Sequence, residues 1–433
     1  MNGSINRNYK TAYGNAVFLS DDGSVSETAA SSKEIQVAGV AFGDATGLIV
    51  DYIAGHLSDS SGTERASSGD SVGEVAVITD DSGYYSLCKN IRPRICESVM
   101  TDAEKEFLLR RTVLFSVDDD YKDVIVRRLL GSVENLRGVA VVAGGRLIVD
   151  AMRFCSERKI DLLVVPSDYS FGKALRFKLD YLKQNCYFAF DDGLFENLQK
   201  NKVADAVRSV FAKRILFVEM CVNRLIGLDF DDETVKNLIN HSIVECGEYF
   251  KNYDYKKLIY AVFLSEKAQA ILPFESPVDG ISEILRCYDL DVLDGEREYL
   301  AYKMLVKIYG VFLSSDTDMV KVPSYALCLD ELKNIYPKAT IYSPPSYYCN
   351  DELLHDLKNR ISECEKLGRY VEELTSRIPQ GEHIVYLIYG GRKTSVELYP
   401  SNVKAQALKL ASPICRGDSL LKLIWACGYF EWL

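Results

Sequence analysis

Two adjacent glycines followed by an arginine, Gly144, Gly145 and Arg146, are where residue type and spacing first suggest chemistry in this chain. A tight glycine turn at the start of a helix lets backbone N–H groups approach an anion, and the helix dipole favours negative charge there. Arg146 could pair with a phosphate or, as a bulky cation, block its path. Asp80 closes the apolar run Val75–Thr79, and a carboxylate there can take a nucleotide's ribose hydroxyls. It can equally cap the next helix, which is the commoner use of such a residue. Ser167 and Ser170 follow another apolar run that ends at Pro166. Any α/β domain uses glycine at some strand–helix turns, so the turn alone does not decide between scaffold and site.

The elements that must position these residues are readable. Val139-Ala-Val-Val-Ala143 is small and β-branched, as a strand buried on both faces should be. An apolar-periodic run with Leu147, Ile148, Ala151, Met152 and Phe154 follows as a helix, and Asp161–Pro166 is a second buried strand. That order is a βαβ unit. Further strands are expected at Val75–Thr79, Thr112–Ser116 and Tyr187–Phe190, and helices over 44–55 and Tyr121–Leu130. Alternation of this kind predicts a doubly wound parallel sheet whose ligands sit beyond the carboxyl ends of the strands. The loops at Asp80, Gly144–Arg146 and Ser167–Lys173 should then converge. An edge strand is expected at Ala16–Leu19, and a polar loop follows His56 to about residue 72.

Beyond residue 190 the pattern changes to long helical runs over 194–226, 232–250, 255–271, 279–288 and 296–313. Leu353–Ile378 and residues 402–411 and 419–433 also read as helices, with a hairpin expected across His383–Tyr399 around Gly390-Gly391. The expected architecture is a Rossmann-like α/β domain over 1–190 and an all-helical domain over 191–433, with a cleft between them.

Composition narrows the function. With 433 residues, 48% of them apolar, the chain is long enough for more than one core. A net charge of −11 argues against a general nucleic-acid binder. The 12 cysteines are scattered without any Cys-x-x-Cys pair, which suits a reducing compartment better than a disulfide framework or structural zinc. No apolar run is long enough to span a bilayer and the start lacks a signal-peptide core, so a cytoplasmic protein is expected. Gly-x-Ser-x-Gly is absent, and no cysteine has a recognisable histidine partner for nucleophilic catalysis.

Several segments together resemble the superfamily of dehydroquinate synthases, iron-dependent alcohol dehydrogenases and glycerol dehydrogenases, most of all its glycerol-1-phosphate dehydrogenase branch. They are Ala143–Ser156, Val164-Val-Pro-Ser-Asp-Tyr-Ser170, Leu272-Pro-Phe-Glu-Ser-Pro-Val-Asp-Gly-Ile-Ser282, Leu293-Asp-Gly-Glu296 and Pro413–Leu423. The resemblance runs over roughly residues 72–433 in order and spacing, although each motif alone is weak. It implies NAD(P) as cofactor, with Asp80, Gly144, Gly145, Arg146, Ser167 and Ser170 lining its site. A small phosphorylated substrate such as dihydroxyacetone phosphate is also implied; homo-oligomer formation is left open.

The superfamily holds one divalent metal on an aspartate and two histidines, and this chain departs from that pattern. The three positions fall on Ser209, Asp279 and Asp294, with Asp205 one helical turn from Ser209. The only histidines are His56, His241, His355 and His383, and none lies in these motifs. Zinc of the usual kind is therefore not expected. Asp279 and Asp294 either form a hard oxygen site suited to magnesium or manganese, or serve as helix caps in a decayed site. Three functions follow from the resemblance: an NAD(P)-dependent glycerol-1-phosphate dehydrogenase-like oxidoreductase, a non-catalytic ligand-binding or protein-interaction relative, and a sugar phosphate cyclase of the dehydroquinate synthase type.

Overall fold

The computed structural model describes residues 37–58, 73–98, 100–118, 123–177, 179–288, 292–314, 325–389 and 399–428. The chain divides after Leu198 into two compact units. The expected strand at Ala16–Leu19 and most of the polar loop after His56 lie outside the described residues.

Unit 1 is a parallel sheet flanked by helices. Its elements are β1 (Gly39–Gly43), α1 (Ala45–Ser58), β2 (Glu74–Asp80), α2 (Asp81–Ser86), α3 (Ile91–Glu97), α4 (Asp102–Arg111), β3 (Thr112–Val117), α5 (Asp123–Gly131), β4 (Leu136–Ala143), α6 (Gly145–Arg158), β5 (Asp161–Pro166), α7 (Leu179–Asn185), β6 (Cys186–Asp191) and α8 (Asp192–Glu196). The strand order is β1-β6-β5-β4-β2-β3, with every pairing parallel. From β2 the chain steps outward to β3, then returns across β2 and proceeds through β4, β5 and β6 in the opposite direction. The direction therefore reverses between β2 and β4, and such a switch point is where open α/β sheets bind ligands. Val75–Ile78, Val139–Ala143 and Leu162–Val165 are buried, as continuous apolar strands covered on both faces should be.

β1 is the strand that the sequence did not reveal. Gly39-Val-Ala-Phe-Gly43 is short and bounded by glycines, and only pairing with β6 identifies it as the edge. The positive φ of Gly43 (135°) ends it in a conformation that a side chain would resist.

Unit 2 is helical among the described residues: α9 (Lys200–Ala212), α10 (Leu216–Ile226), α11 (Asp232–Asn252), α12 (Tyr255–Ala270), α13 (Pro277–Arg286), α14 (Asp294–Leu313), α15 (Tyr325–Ile335), α16 (Asp351–Ser362), α17 (Glu365–Tyr389), α18 (Ser401–Ala411) and α19 (Leu420–Ala426). Trp425, Tyr309, Phe312, Ile281 and Leu305 are among the side chains that fill its core. The hairpin expected from His383 is corrected: His383–Tyr389 continue α17, and 390–398 lie outside the described residues. Pro379 lies within that helix, so a proline that favours a boundary did not enforce one here.

One buried acid ties the C-terminal helix to this core. Glu219 on α10 accepts from the Tyr309 hydroxyl at 2.5 Å and from the Leu420 amide at 3.0 Å, at the start of α19. Burial pushes its carboxyl up to about 7, against the lowering pull of those two hydrogen bonds.

Candidate functional site

The site begins at the switch point. β2 and β4 run side by side, so Asp80 and Gly144 are neighbours although 64 residues apart. The Asp80 carboxylate accepts from the Gly144 amide at 2.7 Å through one oxygen and from the Gly83 amide at 2.7 Å through the other. It therefore caps α2, the reading that the sequence favoured on frequency, and also holds the glycine turn. Gly145, the first residue of α6, donates its amide to the Ser170 hydroxyl at 2.8 Å. The Ser170 hydroxyl in turn donates to the Asp168 carboxylate at 2.5 Å. Ser167 is buried, and its amide donates to the Ala143 carbonyl at 3.0 Å, extending the β4–β5 pairing by one bond.

Close approach explains the second glycine. A Cβ on Gly145 would lie 2.1 Å from the Ser170 carbonyl oxygen, far inside contact distance, whereas one on Gly144 would meet only ordinary neighbours at 3.4–4.0 Å. Asp80, Gly144, Gly145, Ser167 and Ser170 thus form one cluster. Arg146 stands exposed in the first turn of α6. The strand–turn–helix geometry is of the kind that receives a pyrophosphate. As arranged, however, the two glycine amides already point at Asp80 and Ser170, and the turn does not offer them to a nucleotide.

In unit 2 the positions expected to hold a metal are engaged elsewhere at Asp294 and Ser209. Asp294 opens α14, and its two oxygens accept from one nitrogen of Arg286, Nη2, at 2.7 and 2.8 Å, with Arg297 donating as well. Burial alone would lower the Arg286 guanidinium, but Asp294 and Glu283 outweigh it and hold it above its ordinary value. Ser209 on α9 donates its hydroxyl to Glu298 at 2.6 Å. Asp279 lies in the first turn of α13, after the Ser276 N-cap, where a carboxylate suits the helix dipole. Asp205 accepts from the Glu296 amide at 3.0 Å and so caps α14. A Cβ on Gly295 would meet the Asp205 carbonyl at 2.0 Å, which is why α9 and α14 can cross so closely.

These residues do not fit a divalent cation. One expected ligand is spent on a carboxylate, and another is neutralised by two guanidinium groups. Among the described residues, no three or more His, Cys, Asp or Glu side chains are placed to hold a metal. The hard-oxygen alternative meets the same arrangement, in which Asp294 is paired with arginine.

The residues that the sequence did not single out are the ones that replace this arrangement. Along the buried start of α14, Glu296 pairs with Arg208, and Glu298 lies near Lys213. The Lys213 ammonium stands 3.3 Å from Glu266 and 3.4 Å from Glu298, with all three side chains at most 3% exposed. A signal was available in Phe211-Ala-Lys-Arg-Ile-Leu-Phe-Val218, where two cations interrupt an otherwise unbroken apolar run. Cations there must be buried and must find acids.

No protein-family model matches this sequence, and no curated protein matches it significantly. Solved structures do match its fold. A point mutant of an archaeal halo-thermophilic alcohol dehydrogenase from a Red Sea brine pool matches with TM-score 0.51 at 12% identity, over 91% of this chain and 96% of its own. A ligand-bound structure of that enzyme gives 0.50 at 12%, with the same coverage of 91% and 96%. Sulfoacetaldehyde reductase from Bifidobacterium kashiwanohense, in complex with NAD+, gives 0.47 at 11%, over 92% of this chain and 97% of its own. The alcohol dehydrogenase match establishes the fold expected from the sequence, a Rossmann-like α/β domain followed by a helical one. At this identity it establishes the fold alone. No helix among the described residues is long and apolar enough to cross a membrane, and the cysteines whose side chains are described are free thiols.

Proposed function

We propose that this chain is a dehydrogenase-fold protein that does not carry out metal-assisted hydride transfer and serves as a non-catalytic ligand-binding or protein-interaction module. The observation that carries this reading is Asp294, which is held between Arg286 and Arg297 where a cation's ligand is expected. In metal-dependent hydride transfer the ion polarises the substrate oxygen and stabilises the developing alkoxide. A carboxylate already paired with two guanidinium groups has little charge left for that task, and the Ser209 hydroxyl is engaged by Glu298. A cyclase of the dehydroquinate synthase kind needs the same metal and meets the same objection. The test is purified full-length protein with NADPH, dihydroxyacetone phosphate and a panel of divalent metals, followed by NADPH absorbance. The expected result is no metal-dependent change; sustained NADPH consumption with any metal would overturn the reading.

A second reading keeps NAD(P)-dependent oxidation or reduction of a small polyol phosphate. One observation favours it: Asp80, Gly144, Gly145, Ser167 and Ser170 gather at the switch point of the sheet. On that reading, NADPH or NADH binds once Asp80 and Ser170 release the glycine amides. Titration calorimetry with each nucleotide separates the two, because heat of binding accompanied by turnover supports an enzyme and binding without turnover supports the module.

A further inference from the structure

Lys213 is a long cation with almost no solvent exposure, set among the buried charges that cluster around the start of α14. Burying an ammonium is costly unless opposite charge surrounds it. Here the surroundings are built for a cation. Glu266 comes from α12 and Glu298 from α14, while Lys213 itself directly follows α9, so three helices meet at one positive charge. The Ser209 hydroxyl, one helical turn before Lys213, completes the group by donating to the same Glu298 oxygen that faces the ammonium.

We propose that the Lys213 ammonium is a tethered cation that does for Glu266 and Glu298 what a bound divalent ion would do for the same oxygens, with the Ser209 hydroxyl held against Glu298. The proposal rests on the reading that this unit has no working metal centre. It goes further by naming the residue that made an ion unnecessary. Two carboxylates facing one another without a cation would repel, and one would have to take up a proton or turn away. A lysine on an adjacent helix supplies the charge permanently and with no entry path. The contacts of 3.3 and 3.4 Å place the ammonium between the two carboxylates, at distances longer than the ~2.7–2.9 Å of a tight charged hydrogen bond and well beyond the ~2.0–2.6 Å at which hard divalent ions hold oxygens. Removing the lysine side chain would free the space, and the two carboxylates would need to close by roughly an ångström each to reach an ion.

The test uses the full-length chain refolded from urea, with millimolar manganese or with EDTA, in four forms: wild type, Lys213→Ala, Lys213→Ala with Ser209→Asp, and a neutral control. That control combines Lys213→Met, Glu266→Gln and Glu298→Gln. Folded yield by circular dichroism and the melting midpoint are read for each. Wild type and the neutral control should fold equally with manganese or EDTA. Lys213→Ala should recover more folded protein and melt several degrees higher with manganese, and adding Ser209→Asp should enlarge both gains. The proposal is overturned if manganese changes neither quantity in both Lys213→Ala forms, whether or not they fold, or if the neutral control gains as much as they do. Stoichiometric metal in the wild-type protein would instead defeat the functional reading itself, so the two failures are distinguishable.

Discussion

The glycine turn of unit 1 and the charged crossing of unit 2 use one device with opposite sign. At the end of β4, where backbone amides invite an anion, Asp80 supplies a carboxylate from β2. At the start of α14, where carboxylates invite a cation, Arg286, Arg297, Arg208 and Lys213 supply one each. The two regions differ in burial. Asp80 and Ser170 are half-buried and hold the turn through single hydrogen bonds, each worth about 0.5–1.5 kcal/mol net. Lys213, Glu266 and Glu298 are fully enclosed, and unpairing a buried charge costs several kcal/mol. A ligand could therefore compete with the first substitution but hardly with the second.

The largest expected effect lies in unit 2. Lys213→Ala should destabilise the protein by about 3–5 kcal/mol in urea unfolding, because it strands two buried carboxylates. The neutral combination of Lys213→Met, Glu266→Gln and Glu298→Gln should recover most of that loss. A single substitution costing under about 1 kcal/mol would remove the contrast between the regions, since that is the scale of a surface pair.

Glu219 gives a pH signature within the same unit. Its folded-state carboxyl, near 7, lies above the ordinary 4.5, so the folded state binds the proton more tightly than the unfolded one. Its contribution is fully present below the unfolded value and is lost as pH rises through the window up to about 7. The total loss is on the order of 3 kcal/mol, at about 1.4 kcal/mol per pH unit of separation. Glu219→Gln should flatten that part of the stability–pH curve, and an unchanged slope would contradict the assignment.

In unit 1 the effects should be smaller and asymmetric. Gly145→Ala should cost about 1–3 kcal/mol, because its Cβ meets the Ser170 backbone, whereas Gly144→Ala should change unfolding by less than about 0.5 kcal/mol. Asp80→Ala, which removes the α2 cap and the Gly144 acceptor, should fall between the two glycines at roughly 1 kcal/mol. Equal losses at the two glycines would show that the turn is constrained by something other than Ser170.

The same contrast explains how much was legible in the sequence. Val139–Ala143 with Gly144 and Gly145 announced strand, turn and helix, because burial on both faces leaves a continuous apolar run and the turn that follows needs glycine. Asp80 was legible for the same reason, at the end of such a run. β1 was not, since its five residues, bounded by glycines, are too few to show a pattern and take their identity from β6. In unit 2 most helices were readable from their spacing, α15 excepted and α9 and α10 run together, but the partners of their charges were not. Lys213 and Glu298 are 85 residues apart, and the apolar run around Lys213 marks it for burial without naming its partner. The hairpin expected at His383 failed because an apolar β-branched run serves a helix as well as a strand.

The most direct test of internal charge substitution is the metal content and metal affinity of the wild-type protein. Protein purified without chelator should carry no stoichiometric metal, and titration calorimetry with zinc, iron(II) and manganese should show no tight single site. One equivalent of any of these ions bound tightly, and lost on substitution of Ser209, Asp279 or Asp294, would contradict the account.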